Sequence, residues 1–250
     1  MSMATKRAGR DSAPDGLCLY NGDRMTQPEF HRRYQAYPDD MKFELVEGVV
    51  YMASPLRRAH GKYHVQLAML FGLYESKTPG VEVLDNVTTI LGEESEPQPD
   101  LALRILSAYG GRSRETEDDY VEGPPELIAE VAHSTRSIDM HQKWRDYRRA
   151  GVREYLVLCV EEAALYGFRF KPDRKLVADD RGVVRSQVFP GLWIDSAAVL
   201  ARHHARAVRT LRKGLTSPEH TAFLLRLRMR DLETVDPWPG ERPAGFVTRE

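Results

Sequence analysis

Cysteine is almost missing from the chain: Cys18 and Cys159 are the only two in 250 residues. That excludes a disulfide framework and a paired-cysteine zinc site, and it fits a reducing, cytoplasmic setting. Cys159 lies in the run YLVLCV, where a buried free thiol is expected. Long apolar runs are missing too, since YLVLCV is far too short to span a bilayer. The opening stretch MSMATKRAGRDSAPDG has cations but no apolar segment behind them, so it does not read as a secretory signal. A formal net charge of −1 gives no global attraction to nucleic acid. There is no glycine-rich phosphate loop, no G-x-S-x-G elbow and no internal repeat.

What is present is enough apolar residue, 42%, for one generous domain or one domain with an appendage. The layout expected is a flexible segment over 1–24, a core domain over 25–200, and a basic helical extension with a tail over 201–250. Charge is unevenly spread. Residues 93–96 and 115–122 are acidic, whereas 201–230 carry eight Lys and Arg against the single acid Glu219. Such asymmetry reads either as a local basic face or as two solvated patches.

In chain order, Thr26-Gln27-Pro28-Glu29 marks a helix start that carries Phe30 and Tyr34 inward. KFELVEGVVYM reads as strand, turn and strand, with Glu44 early in the first strand and Glu47 at the turn. From Arg58 to about Lys77 the spacing of Tyr63, Leu67, Leu70, Phe71 and Tyr74 is helical. The Arg57, Arg58, His60 and Lys62 group at its start reads either as phosphate or substrate contacts or as a wet helix end, the second being favoured for each residue taken singly. VEVLDNVTTIL is expected as one strand, QPDLALRI as the next, and residues 107–124 as a long loop. ELIAEV and REYLVLCV follow as strands, separated by a helix from about Ile138 to Ala150. ALYGFRF, KLVAD and VVRSQVF suggest a meander closing the sheet. Asp195 or Ser196 caps a helix to about Lys213, and Ser217-Pro218-Glu219 starts another element whose LRLRMR end fits helix or strand.

Two carboxylates stand out because they sit in apolar strands: Asp100 at the start of one, Glu130 within another. A buried ionised acid needs a partner or a metal. Mg²⁺ takes oxygen ligands, one or two of them carboxylates, so adjacent strands can bring Asp100 and Glu130 to one ion, with Mn²⁺ as the alternative. In the following helix Met140, Lys143, Trp144 and Tyr147 form one stripe, which aims Lys143 at the sheet. An ammonium there suits stabilisation of charge on a phosphodiester. The competing reading makes Asp100 a turn cap, pairs Glu130 with Arg153, and lets Lys143 snorkel to solvent.

Taken in order, FELVEG, HGKYH, QPDLAL, LIAEVAHSTRSID, Lys143, AGVREYLVL and FPGLWID resemble the Uma-type family within the PD-(D/E)XK nuclease superfamily. The resemblance spans about Thr26 to Leu200. It implies a restriction-endonuclease-like α/β core with a mixed central sheet flanked by helices, and a Mg²⁺ site at Asp100 and Glu130. It further implies a catalytic lysine moved from strand to helix at Lys143, with Glu44 in support. Ala132 stands where the superfamily carries its usual lysine, and Ala132-His133-Ser134-Thr135 replaces the family's Ser-Pro-Ser-Thr. The function implied is a Mg²⁺-dependent endonuclease on DNA, with a homodimer as an assembly to test and no membrane partner. The alternatives are a nuclease-fold protein that binds without cleaving and a hydrolase of small phosphate esters.

Overall fold

LIAEVA and EYLVLC, the runs that lack polar alternation, become the centre of the sheet in the computed structural model, which describes residues 17–38, 41–53 and 55–234. The chain begins with α1 (Gln27–Tyr34), the hairpin β1 (Phe43–Val46) and β2 (Val49–Met52), and α2 (Arg58–Glu75). Next come β3 (Val81–Asp85), β4 (Thr89–Ile90), β5 (Leu101–Ile105), β6 (Arg114–Glu115), β7 (Val121–Glu122) and β8 (Leu127–Ala132). A π-helical turn (Ile138–Lys143) runs directly into α3 (Trp144–Ala150). The strands β9 (Glu154–Cys159), β10 (Ala164–Phe170), β11 (Asp173–Lys175), β12 (Val183–Arg185) and β13 (Trp193–Asp195) lead to α4 (Ser196–Leu200), α5 (His204–Leu215) and α6 (Pro218–Thr234).

The main sheet has the order β11-β10-β9-β8-β5-β3. β8 and β9 are parallel and the other neighbours antiparallel. A parallel pair needs a crossover, and the segment that holds Lys143 supplies it. Period-two alternation then sorts each strand. Leu101, Leu103, Leu127, Ala129, Val131, Leu156 and Leu158 face α2 and the C-terminal helices. Ala102, Ile128, Ala132, Tyr155 and Val157 face Tyr147 on α3. The expected α/β architecture, a mixed sheet flanked by helices, is the one observed.

Several element boundaries differ from expectation for local reasons. Asn86 takes a left-handed backbone, φ +53°, and splits the expected strand into β3 and β4. The expected loop over 107–124 contains β6 and β7, which join β4 in a small sheet of their own. β12 leaves the expected meander and pairs with β13. Asp195 does cap its helix, accepting from the Ala198 N–H at 2.9 Å, but Arg202 at φ +57° breaks that helix into α4 and α5. α6 is helical through LRLRMR, with Phe223 and Leu227 in the core. At the N-terminal side, Leu19 is buried and the chain bridges to β2 through Arg24 and Val49. The Pro-rich stretch DPWPGERPAG, expected as the tail, lies outside the described residues.

The acidic stretches are tied into the structure more than a solvated patch would be. Glu96 is buried and held by Gln27 at 2.7 Å and His31 at 2.9 Å. Glu115 and Glu122 pair with Arg104 and Arg114. In the basic stretch Arg206 pairs with Asp195 at 2.7 Å. Among the described residues no helix is long and apolar enough to cross a membrane.

Candidate active site

The register of β5 against β8 places the two strand acids. Leu101 lies opposite Ala129, so one step further along the antiparallel ladder sets Asp100 opposite Glu130. Residues directly opposite share a face, and here it is the face covered by α3. The two groups interlock: the Asp100 N–H donates to Glu130 Oε2 at 3.2 Å, and the Val131 N–H donates to Asp100 Oδ2 at 2.7 Å.

Lys143 enters from the crossover, where the π turn meets α3. A π-helical turn widens the spiral locally, and such turns, rare overall, occur frequently at functional sites. Met140 and Trp144 pack beside Tyr147 on the aromatic cluster, while the Lys143 side chain is 6% exposed. Its Nζ lies 2.8 Å from Glu44 Oε1, 3.0 Å from Glu130 Oε1 and 3.9 Å from Asp139 Oδ1. Glu44 reaches this point because Phe43 and Leu45 point into the hairpin's own core, which turns Glu44 the other way. The Gln98 N–H fixes its Oε1 at 2.7 Å. Tyr147 donates to Glu130 Oε1 at 2.8 Å, and Thr135 donates to Asp139 Oδ2 at 2.6 Å.

Charge in the cluster is unbalanced. Glu44, Asp100, Glu130 and Asp139 gather around one ammonium and the His60 imidazole. Burial disfavours a charged Lys143, but Glu130, Glu44 and Asp139 outweigh it and hold its pKa well above the ordinary lysine value. Burial pushes Glu130 well above the carboxylate range. Lys143 pulls it back, but Asp100, Asp139 and Glu44 push it further up. Burial likewise raises Asp139 to about 6 against the pull of Lys143. Burial would raise Asp100 as well, yet the hydrogen bond and charge of His60, the Val131 N–H and Lys143 leave it below its ordinary value.

All four sequence candidates, Glu44, Asp100, Glu130 and Lys143, therefore meet at one place. The competing pairing does not form: Glu130 lies beside Val157 in the β8–β9 register, and Arg153 precedes β9. Four further participants, His60, His64, Tyr147 and Asp139, had been given another role or none. His60 is not part of a wet helix end; it is 6% exposed, and its Nε2 sits 3.1 and 3.0 Å from the two Asp100 oxygens. His60 and His64, one helical turn apart, offer ligand atoms that lie with one from Asp100 within 4.8 Å of one another. The H-x-x-x-H spacing was the available signal. Tyr147 was visible only as a packing residue of the stripe, and Asp139 gave no signal beyond standing one turn before Lys143.

The donor set suits a divalent cation. The ligand atoms that converge, from His60, His64 and Asp100, are nitrogen and oxygen donors of the kinds a divalent transition-metal ion accepts, with Glu130 beside Asp100. No curated protein matches the chain. A crystal structure described as a "putative nuclease belonging to DUF820" from Anabaena variabilis ATCC 29413 superposes with a TM-score of 0.53 at 13% identity, covering 76% of this chain and 99% of that one. It shares the fold. The profile of the Uma2 family, described as "Putative restriction endonuclease", matches residues 28–199. Glu44, Asp100, Glu130 and Lys143 all fall inside that span, and the chain belongs to the Uma2 family.

Proposed function

We propose that the protein is a metal-dependent endonuclease that hydrolyses phosphodiester bonds in DNA. The observation that carries the reading is the convergence of a buried, charged lysine on Glu44 and Glu130, with Asp100 interlocked beside them. Asp100 and Glu130 would hold Mg²⁺, or Mn²⁺ in its place. When bound, the ion would offset charge on the phosphoryl oxygens and lower the pKa of a water. Lys143 stays protonated and so acts by stabilising negative charge rather than as a base. Glu44 and Tyr147 fix the positions of Lys143 and Glu130, and His60 fixes the Asp100 carboxylate. With those orientations set beforehand, little reorganisation remains at the moment of reaction.

The test is incubation of the purified protein with supercoiled plasmid and short duplexes in Mg²⁺, Mn²⁺ or EDTA. Nicking or linearisation is expected with either ion and not in EDTA, and Asp100→Asn should abolish it. Binding of DNA without cleavage in any ion would replace the enzyme with a binding protein. Activity that survives EDTA, or Asp100→Asn, would remove the metal site from the reaction.

A further inference from the structure

β5 runs from the acid cluster to a second, oppositely charged place. Asp100 precedes its first residue, while Ile105, its last, lines a cleft of about 580 Å³ bordered by α6 and by the segments before β9 and after β10. At about 3.3 Å per residue the strand keeps the two places some 17 Å apart.

Arg112, Arg153, Arg169, Lys171, Arg226 and Arg230 line the cleft, and no Asp or Glu among the described residues does. Their existing contacts leave most of that charge uncompensated. Arg169 is hydrogen-bonded to neutral oxygens, those of Gln187 and the Lys171 carbonyl. Arg112 donates to the Gly151 carbonyl at 2.7 Å and reaches Glu126 only at 3.5 Å. The Arg226 guanidinium lies 5.5 Å from the Phe223 ring centre. Among the described residues no carboxylate lies within ion-pair distance of Arg153, Lys171, Arg226 or Arg230. Like charges that converge without a counter-charge repel one another, and a multivalent anion relieves that repulsion at every cation together.

We propose that this cleft binds a nucleotide-sized anion carrying two or more phosphates. Guanidinium groups match phosphate oxygens through paired N–H donors, which makes arginine the suited residue. The volume falls in the range of about 300–1,000 Å³ typical of small-ligand sites, and Tyr109, Val188 and Leu227 give part of the wall an apolar character on which a base or sugar can rest. A nucleic-acid strand would instead call for cations in file, and these converge on one cleft from four separate segments of the chain. The proposal does not depend on the nuclease reading.

Calorimetric titration in EDTA, which keeps divalent ions out of the acid cluster, tests it with ATP, inorganic tripolyphosphate, adenosine and a short single-stranded oligonucleotide as probes. ATP and tripolyphosphate should bind the wild-type chain and adenosine should not. Arg153→Gln with Arg226→Gln should weaken ATP at least about tenfold, Arg226→Lys should keep part of the affinity, and Arg212→Gln, outside the cleft, should change nothing. Arg153 and Arg226 are both exposed, and thermal melting confirms that each variant is folded. A Lys171→Gln, Arg230→Gln pair gives an independent copy of the test. Equal ATP affinity in wild type and both double variants, or no ATP binding at millimolar concentration, overturns the proposal. So does an oligonucleotide that uses these arginines while ATP does not, which would make the cleft a nucleic-acid contact.

Discussion

Lys143 and its three carboxylates depend on one another. Deleting the ammonium strands Glu44, Glu130 and Asp139 in a buried place, and breaking a buried pair by removing one partner costs about 3–5 kcal/mol. Lys143→Met should therefore lower the stability of the metal-free protein by about 3 kcal/mol, and added Mg²⁺ should restore part of it. Cleavage should fall by about 10²–10³-fold while DNA affinity changes little. Urea unfolding in EDTA and in Mg²⁺ reads the first effect. An unchanged midpoint would mean the ammonium does not hold the acids together. Asp139 sets a pH dependence with a definite sign. Its folded pKa of about 6 exceeds the ordinary 3.8, so the folded state binds the proton more tightly. Stability from this group is present below about pH 4 and is lost as pH rises to about 6, a change of about 3 kcal/mol. Burial also raises Glu96, Asp146 and Glu154, which act in the same direction. Asp139→Asn should flatten the fall between pH 4 and pH 6 by up to one proton's worth of slope, measured by unfolding at each pH. A slope identical to wild type would take Asp139 out of the balance.

Among the elements, α2 and α5 make opposite predictions for the same substitution. In α2 a Cβ at Gly72 would meet nothing within 4 Å, so Gly72→Ala should stabilise by about 0.5–1 kcal/mol. In α5 a Cβ at Gly214 would come within 2.2 Å of the Gly191 carbonyl oxygen, a backbone atom that cannot swing aside. Gly214→Ala should then cost at least about 1–3 kcal/mol, as overpacking does. Thermal melting of the two variants reads both signs, and a neutral Gly214→Ala would show that α5 is free to shift. The elements also show where the sequence was legible. β5, β8 and β9 announced themselves because apolar runs of six or so residues leave few alternatives, and with them came Asp100 and Glu130. The breaks at Asn86 and Arg202 did not, because a left-handed residue other than glycine is chosen by tertiary contacts more than by its neighbours in sequence. β6 and β7 were hidden for another reason. Two-residue strands carry too little periodicity to read, and they exist because β4 offers β7 an edge and β7 offers one to β6. His60 was singled out but favoured as a solvated residue, because a histidine at a helix start looks the same in a string whether water or Asp100 lies beyond it.

At the scale of the whole molecule, a net charge of −1 conceals two strongly charged ends, acids at one end of β5 and cations at the other. The acidic end should couple folding to divalent ions. Mg²⁺ at 100 times its dissociation constant would add about 2.7 kcal/mol if it binds only the folded chain. A rise in melting temperature with Mg²⁺, absent at matched ionic strength of NaCl and absent in Asp100→Asn, is the expected result; a rise of equal size in both proteins would place the ion elsewhere. One further consequence comes from the ladder between β5 and β8. Both acids and the inward leucines of those strands owe their sides to the same alignment, so a slip of a single residue would bury the carboxylates among Leu103 and Leu127 and turn the leucines toward Lys143. Loss of the lysine removes one local group of contacts and leaves the strand register in place, but an inserted or deleted residue in either strand shifts every side chain beyond it. In descendants of this chain, single-residue length changes within β5 and β8 should be purged even where the acids and Lys143 have been replaced.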